Sequence, residues 1–331
     1  VLKAALLLLG TLTLSALIWH IGISRIYEAV AQLGPAAMLA ILLPSVLMYI
    51  LEAYGWRVTF GPGAKDVPFW RVLAIRTAGE VVNMTTPTAY VGGEPLKAFL
   101  LKRQGVPLVE GLASVVTAKT TMTIAQIAFI LIGIGLGFWL LDAGGSAGQT
   151  IMAGLLTAGL LLFGVGAFVI MQRQGLFTWM LKMLRRIGLR LRYLESREGK
   201  LLELDRTIAR FYTHQRPAFL LSTGLFFFGW LAEALEVFVI VLCLGHPISV
   251  MYAVAIGALS VFIKGGTFFI PGSLGAQDAG NLLLLTAFGY GEVTGITFAL
   301  LRRFRELVWI LLGLLCLVVM TRGDETMPPS R

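Results

Sequence analysis

Charge is the first thing this chain has little of. Only 14% of its 331 residues are Asp, Glu, Lys or Arg, against about 25% in an ordinary soluble domain. Cysteine is scarcer still. Cys243 and Cys316 are the whole complement, which excludes a disulfide scaffold. Both lie in apolar runs without a CxxC partner and read as buried thiols. His20, His214 and His246 are the only histidines and show no ligand spacing, so neither a metal nor a cofactor is expected. Walker loops, GxSxG elbows and zinc-ligand clusters are missing. Their absence argues against ATP-driven pumping by this chain alone and leaves no catalytic residue to nominate.

Apolar residues, by contrast, make up 57% of the chain, and the mean hydropathy is +0.83. Length alone would allow two or three soluble domains. That much apolar surface cannot be hidden in a water-soluble core, and the same composition excludes disorder and a collagen-like chain. The chain reads as an all-α polytopic membrane protein, a single transmembrane domain over residues 1–331. Six stretches are long enough for full spans: Ala4–Ile21, Pro35–Trp56, Leu108–Leu141, Gln149–Met171, Pro217–Leu244 and Val293–Met320. The first follows Lys3 as a signal peptide would, but it lacks a small-residue cleavage site and is kept as a span. Phe69–Leu101 and Ser249–Phe288 are interrupted, by Asn83-Met84-Thr85-Thr86-Pro87 and by Gly265-Gly266-Thr267 with Pro271-Gly272. Each reads as two half-helices around a non-helical turn, broken or re-entrant. Such backbone is tolerated at membrane depth only when buried in protein or lining a wet cavity.

The net charge of +9 is unevenly spread. Residues 173–216 carry eleven basic residues against four acidic ones, a net +7. The positive-inside rule makes this segment cytoplasmic, and Arg57, Lys65 and Arg71 agree with it. The Asp142–Gln149 loop has no basic residue and falls outside, so both termini come out cytoplasmic if each broken segment dips in and returns on its own side. Leu176, Met180, Leu184, Ile187 and Leu191 recur at helical spacing among the arginines. The segment is therefore expected to lie on the inner leaflet and meet anionic lipid. A nucleic-acid role is set aside, because this pattern is usual for a cytoplasmic membrane loop.

A shift of 184 residues superposes two parts of the chain without gaps. Glu52 falls on Glu236, Gly61 on Gly245, Pro87 on Pro271, Glu94 on Asp278, Gly105 on Gly289, Gly111 on Gly295 and Lys119 on Arg303. The repeats are expected at 33–138 and 217–322. With the topology above they are inverted, the arrangement of transporters whose site lies near the midplane. The charges inside spans single out the candidate site, since each costs roughly 2.5–3.5 kcal/mol at a helix centre on insertion scales. Glu94 and Asp278 sit beside the breaks near helix N-termini, where a carboxylate is favoured. Lys119 lies in the third span. Arg302, Arg303, Arg305 and Glu306 lie in the last, and Glu52, Glu233 and Glu236 within others.

Some of these charges read as structural ion pairs at helical spacing, namely Glu306 with Arg302 or Arg303, and Glu80 with Arg76. The candidate substrate-binding set is Glu94, Asp278, Lys119 and Arg303, joined by Glu52, Glu236, Arg302 and Arg305. Bases there suit an anion such as phosphate. The acids suit a cationic headgroup or a coupling ion. The Asn83-Met84-Thr85 sequon is incidental in a membrane break. Phe226-Phe227-Phe228 and Trp230 read as lipid-facing or core packing.

Three motifs carry a resemblance. Ile270-Pro271-Gly272-Ser273-Leu274-Gly275-Ala276-Gln277-Asp278, Gly92-Gly93-Glu94-Pro95-Leu96-Lys97, and Leu301-Arg302-Arg303-Phe304-Arg305-Glu306-Leu307-Val308-Trp309 with Gly313 stand in order along the chain. They resemble the signatures of the lysylphosphatidylglycerol synthase/flippase transmembrane domain family, with details leaning to its hopanoid-associated branch. The resemblance covers nearly the whole chain. It implies a bacterial inner-membrane translocator of an aminoacylated phospholipid or hopanoid-type lipid, with Glu94, Asp278 and Arg303 recognising the headgroup. Two features depart from the family pattern: Asp278 stands where Glu is usual, and only Thr321–Arg331 follows the last span. No aminoacyl-transferase domain is expected, and hence no synthesis of lysyl-lipid by this chain. The alternatives are a membrane-embedded enzyme acting on a lipid-phosphate or polyprenyl substrate, and a membrane anchor for a soluble biosynthetic enzyme.

Overall fold

A computed structural model describes residues 23–85, 92–140, 147–187, 196–267, 273 and 275–322. The first expected span, Ala4–Ile21, lies outside them. Among the described residues the regular structure is helical throughout. In chain order the helices are α1 (Ile23–Arg57), α2 (Phe69–Thr85), α3 (Gly93–Arg103), α4 (Leu108–Leu140), α5 (Ala147–Gln174), α6 (Leu176–Arg186), α7 (Glu198–His214), α8 (Arg216–Cys243), α9 (Val250–Gly266), α10 (Ala276–Ala287) and α11 (Glu292–Arg322). A short 3-10 turn, Pro62–Ala64, follows α1.

Four apolar segments are long enough to cross a membrane: Leu33–Arg57, Leu108–Leu140, Arg216–Cys243 and Glu292–Thr321. They match the second, third, fifth and sixth spans expected from hydropathy. The fourth differs. Gly159–Gln174 passes the same test only together with α6, and the two are bent by 89°. The described residues therefore hold four spans, or five if the bent pair counts as one, where six had been expected over the whole chain. The bend has a local cause. Gly175 takes a left-handed φ of 99°, and Asp205 on α7 accepts hydrogen bonds from the Phe177 and Thr178 backbone N–H groups at 3.0 and 2.8 Å. These first-turn donors of α6 have no partner within their own helix, so the carboxylate fixes where the new helix begins.

The two interrupted stretches resolve into helix pairs, α2 with α3 and α9 with α10. Thr86–Val91 and most of the Pro271–Gly272 break lie outside the described residues. Each pair turns back on itself. Arg71 at the start of α2 donates to Gln104 just beyond α3 at 2.5 Å. His246, ahead of α9, meets Thr294, in the first turn of α11 after α10, at 3.0 Å. Each half-helix pair thus returns close to where it began.

The packing follows a regular scheme. α8 lies along α1, α9 packs on α4, α11 packs on α2, and each half-helix pair leans on the long helix that follows it. Lipid provides no hydrophobic drive between helices, so close approach of small residues does that work. A Cβ on Gly133 of α4 would stand 2.1 Å from Ala258 Cβ on α9, and one on Gly313 of α11 would stand 2.2 Å from a Val81 methyl on α2. Ala258 and Val81 belong to small apolar clusters beside these crossings, and two larger clusters fill the bundle. One gathers Trp56, Ile75, Leu100 and Phe226, the other Ile41, Ile240, Ile256 and Phe298.

The basic segment 173–216 is partly packed on the bundle. Leu204 and Ile208 of α7 bury against Ala113 of α4, and Tyr212 donates to Gln172 at 2.6 Å. Burial pushes the Tyr212 phenol up to about 12. On α6, Trp179, Met180 and Met183 remain exposed, as does Ile187 just beyond it. Cys243 and Cys316 are free and partly exposed rather than buried.

Candidate functional site

The two half-helix pairs place acids at equivalent points. Glu94 occupies the first turn of α3 and Asp278 the first turn of α10, as the helix-terminus reading expected. Each meets a base on the following long helix. Glu94 lies 3.8 Å from the Lys119 ammonium. Asp278 receives Arg303 in a two-pronged grip at 2.8 and 2.9 Å. The residues that the 184-residue shift aligns, acid on acid and base on base, are thus joined in each half.

Around the first pair, Asn83 acts as a clasp between half-helices. Its carbonyl oxygen accepts from Gly93 N at 2.7 Å, and its amide donates to Glu94 at 3.2 Å and Glu80 at 3.3 Å. Gly93 has to be glycine, because a Cβ there would fall 1.9 Å from the Gly79 carbonyl oxygen. Lys97 reaches both Glu94 oxygens, at 3.0 and 3.2 Å. The Asn83 of the sequon therefore has a structural task that its motif does not announce.

A second set of charges forms a buried ionic core. Glu52 of α1 is bound by Arg76 of α2. On the opposite side, Glu233 and Glu236 of α8 are held by Arg302 and Arg305 of α11, with Arg305 reaching Glu233 at 3.1 Å. Arg302 also donates to Ser260 at 2.6 Å, and Ser260 donates to Asn281 at 2.7 Å. Arg303 holds Glu306 at 2.6 Å, the helical pair expected from spacing. Arg76 differs from expectation: it pairs across helices with Glu52, while Glu80 faces Lys97 at 3.8 Å. Burying each such ion costs several kcal/mol unless a partner and further hydrogen bonds compensate, which is why these charges come in clusters.

Between the halves lies a cavity of about 250 Å³. α1, α2 and α4 supply Tyr49, Glu52, Arg76, Glu80 and Lys119. α8, α9 and α11 supply Trp230, Glu233, Lys264, Arg305, Glu306 and Trp309. Tyr49 and Trp309 stack across the halves with centroids 3.6 Å apart. A small recess beside the cavity shares Arg76, Glu80 and Lys119 with it and adds Glu94 and Lys97.

The pattern of short motifs has a counterpart in known proteins. A family model described as the lysylphosphatidylglycerol synthase TM region matches residues 2–313. The chain belongs to that family. Among its relatives is a UPF0104 membrane protein of Methanothermobacter thermautotrophicus, 24% identical over 302 residues that cover 88% of this chain and 86% of the relative. A UPF0104 membrane protein of Pyrococcus horikoshii is 24% identical over 322 residues, covering 91% and 92%. The chain is a multi-pass membrane protein of the lysylphosphatidylglycerol synthase TM type.

Within this family member, the predicted site residues separate by position. Glu52, Lys119 and Arg305 line the cavity, and Glu94 lines its recess. Glu236 and Arg302 sit in the ionic core behind. Asp278 and Arg303 are not among the lining residues and connect to the cavity through Glu306. Sequence reasoning missed Lys264 and Trp230 as cavity residues. Lys264 falls on Glu80 under the same shift, so a charge recurs there although its sign does not. Trp230 looked like ordinary packing, and it does pack on Phe129 while lining the cavity.

Proposed function

We propose that this chain is a lipid translocator, built on an inverted repeat, that carries a polar headgroup through the membrane while the apolar body stays in lipid. The observation that carries this reading is the cavity, lined by ionisable groups from both halves in a chain otherwise poor in charge. The inverted repeat is supported by the order of helices. Long span, half-helix pair and long span occur as α1–α4 and again as α8–α11. In this reading the basic segment marks the cytoplasmic face of a bacterial inner membrane and contacts anionic lipid there. The chain moves its substrate without altering it.

Glu94 with Lys119 and Asp278 with Arg303 act as clasps between each half-helix tip and its long helix. The halves exchange conformations as those clasps loosen in turn. Leaflet exchange of a labelled phospholipid in proteoliposomes tests this. Glu94→Ala and Asp278→Ala are each expected to slow exchange at least about tenfold, the effect of losing one charged hydrogen bond. Unchanged exchange in both variants removes the clasps from the mechanism, and a chemically altered lipid would replace the translocator reading with an enzyme.

A further inference from the structure

The carboxylates and bases of the site are not evenly matched in their commitments. Arg76, Arg302, Arg303 and Arg305 have side chains only 2–6% exposed, and each holds a carboxylate closely. Lys119 and Lys264 are different. Each lies 3.8 Å from a carboxylate, Glu94 and Glu306 respectively. Each of those carboxylates already holds a nearer base, Lys97 at 3.0 Å and Arg303 at 2.6 Å. The two ammonium groups are 36% and 29% exposed and line the same cavity, one from each half.

Trp230, on the same cavity wall, has its indole Nε1 buried with no hydrogen-bond partner among the described residues. A buried donor left without an acceptor is costly, because it has lost its water. The donors to spare on cavity-lining residues are thus the ammoniums of Lys119 and Lys264, each with three N–H groups and one long carboxylate contact at 3.8 Å, the Trp230 indole N–H, Arg76 Nη1 and Arg305 Nε. Donors of this kind call for an anion with several acceptor oxygens.

We infer that the cavity is a phosphate site, in which Lys119 and Lys264 grip one phosphate group from opposite halves. This rests on the translocator reading for its location and adds the chemical class of the ligand. The volume of about 250 Å³ falls below the roughly 300–1,000 Å³ typical of drug-sized pockets. It suits a headgroup. The lysines replace Arg303, which is fully occupied by Asp278 and Glu306, as the cationic partners of the substrate.

The test measures binding by the full chain in detergent with native mass spectrometry, using phosphatidylglycerol and diacylglycerol as probes, and with calorimetry using inorganic phosphate. Wild-type protein is expected to hold phosphatidylglycerol about a hundredfold more tightly than diacylglycerol, the scale of two charged hydrogen bonds. Lys119→Gln and Lys264→Gln should each lose about tenfold of that preference, the scale of one charged hydrogen bond. The double variant should lose it entirely, and Lys119→Arg and Lys264→Arg should retain it. Binding of inorganic phosphate that also depends on both lysines would identify free phosphate as a ligand of the site. Binding of phosphatidylglycerol alone assigns the site to the lipid. Equal binding of the two lipids by wild-type protein, or full preference kept in the double glutamine variant, overturns the proposal. Failure of leaflet exchange with lysine-dependent binding intact would instead overturn translocation and leave the phosphate site standing.

Discussion

At the scale of single residues, the charges in the membrane-spanning part fall into two kinds with opposite expected responses to mutation. Glu233 is held by Arg302 and Arg305 together, and its removal leaves two buried guanidiniums on one remaining carboxylate. Glu233→Ala is expected to destabilise the protein by about 3–5 kcal/mol, the cost of breaking a buried pair. Thermal aggregation in detergent would show this as a large drop in midpoint. Lys264→Gln removes a partly exposed ammonium from a carboxylate that Arg303 already satisfies. The midpoint should then stay near wild type while phospholipid binding falls. A collapse of stability in Lys264→Gln would place that lysine in the ionic core instead.

At the scale of elements, the crossings of α4 on α9 and of α11 on α2 depend on the absence of a side chain. Gly133→Ala and Gly313→Ala each press a methyl into an atom already in place, and overpacking of this kind costs about 1–3 kcal/mol. Gly135→Ala, two residues from Gly133 on α4 and facing open space, is the control and should cause no loss of thermal stability. Equal effects from all three would mean that these crossings are not tight. The elbow between α5 and α6 depends on Asp205 in the same local way. Its carboxylate accepts from two backbone N–H groups and from the Thr178 hydroxyl at 2.6 Å. Asp205→Ala should weaken the start of α6 by about 0.5–2 kcal/mol, the usual worth of such a cap. Faster hydrogen exchange confined to residues 176–186 would show it, and unchanged exchange there would mean that Gly175 alone sets the bend.

At the scale of the whole molecule, the proposed inverted repeat makes a claim about sidedness. Lys65, between α1 and α2, and Glu292, at the start of α11, are both exposed. They belong to opposite ends of the bundle if α1 and α8 run in opposite directions across the membrane. With Cys243 and Cys316 replaced by serine, Lys65→Cys should react with an impermeant thiol reagent from the cytoplasmic face and Glu292→Cys from the other. Labelling of both from one face would abolish the inverted repeat and, with it, the symmetric exchange of states that translocation requires. The cavity is a property of this scale as well. None of its walls is complete within one half, because Tyr49 and Lys119 come from one half and Lys264, Arg305 and Trp309 from the other.

What the amino-acid sequence determined alone was everything that depends on local composition and spacing. Runs of apolar residues placed the four long spans within a few residues, because a helix must cover its own backbone polar groups in lipid. Gly, Pro and Asn clusters marked both interruptions, and the 184-residue shift paired Glu94 with Asp278 and Lys119 with Arg303 as equivalents. The choice of partner lay beyond it. Spacing suggested Glu80 for Arg76, yet α1 brings Glu52 to that guanidinium instead. Nothing local distinguished a tightly held arginine such as Arg303 from a loosely held, partly exposed lysine such as Lys264. A charge in a low-dielectric interior is worth what its neighbours in space make it worth, and only the tertiary structure brings those neighbours together.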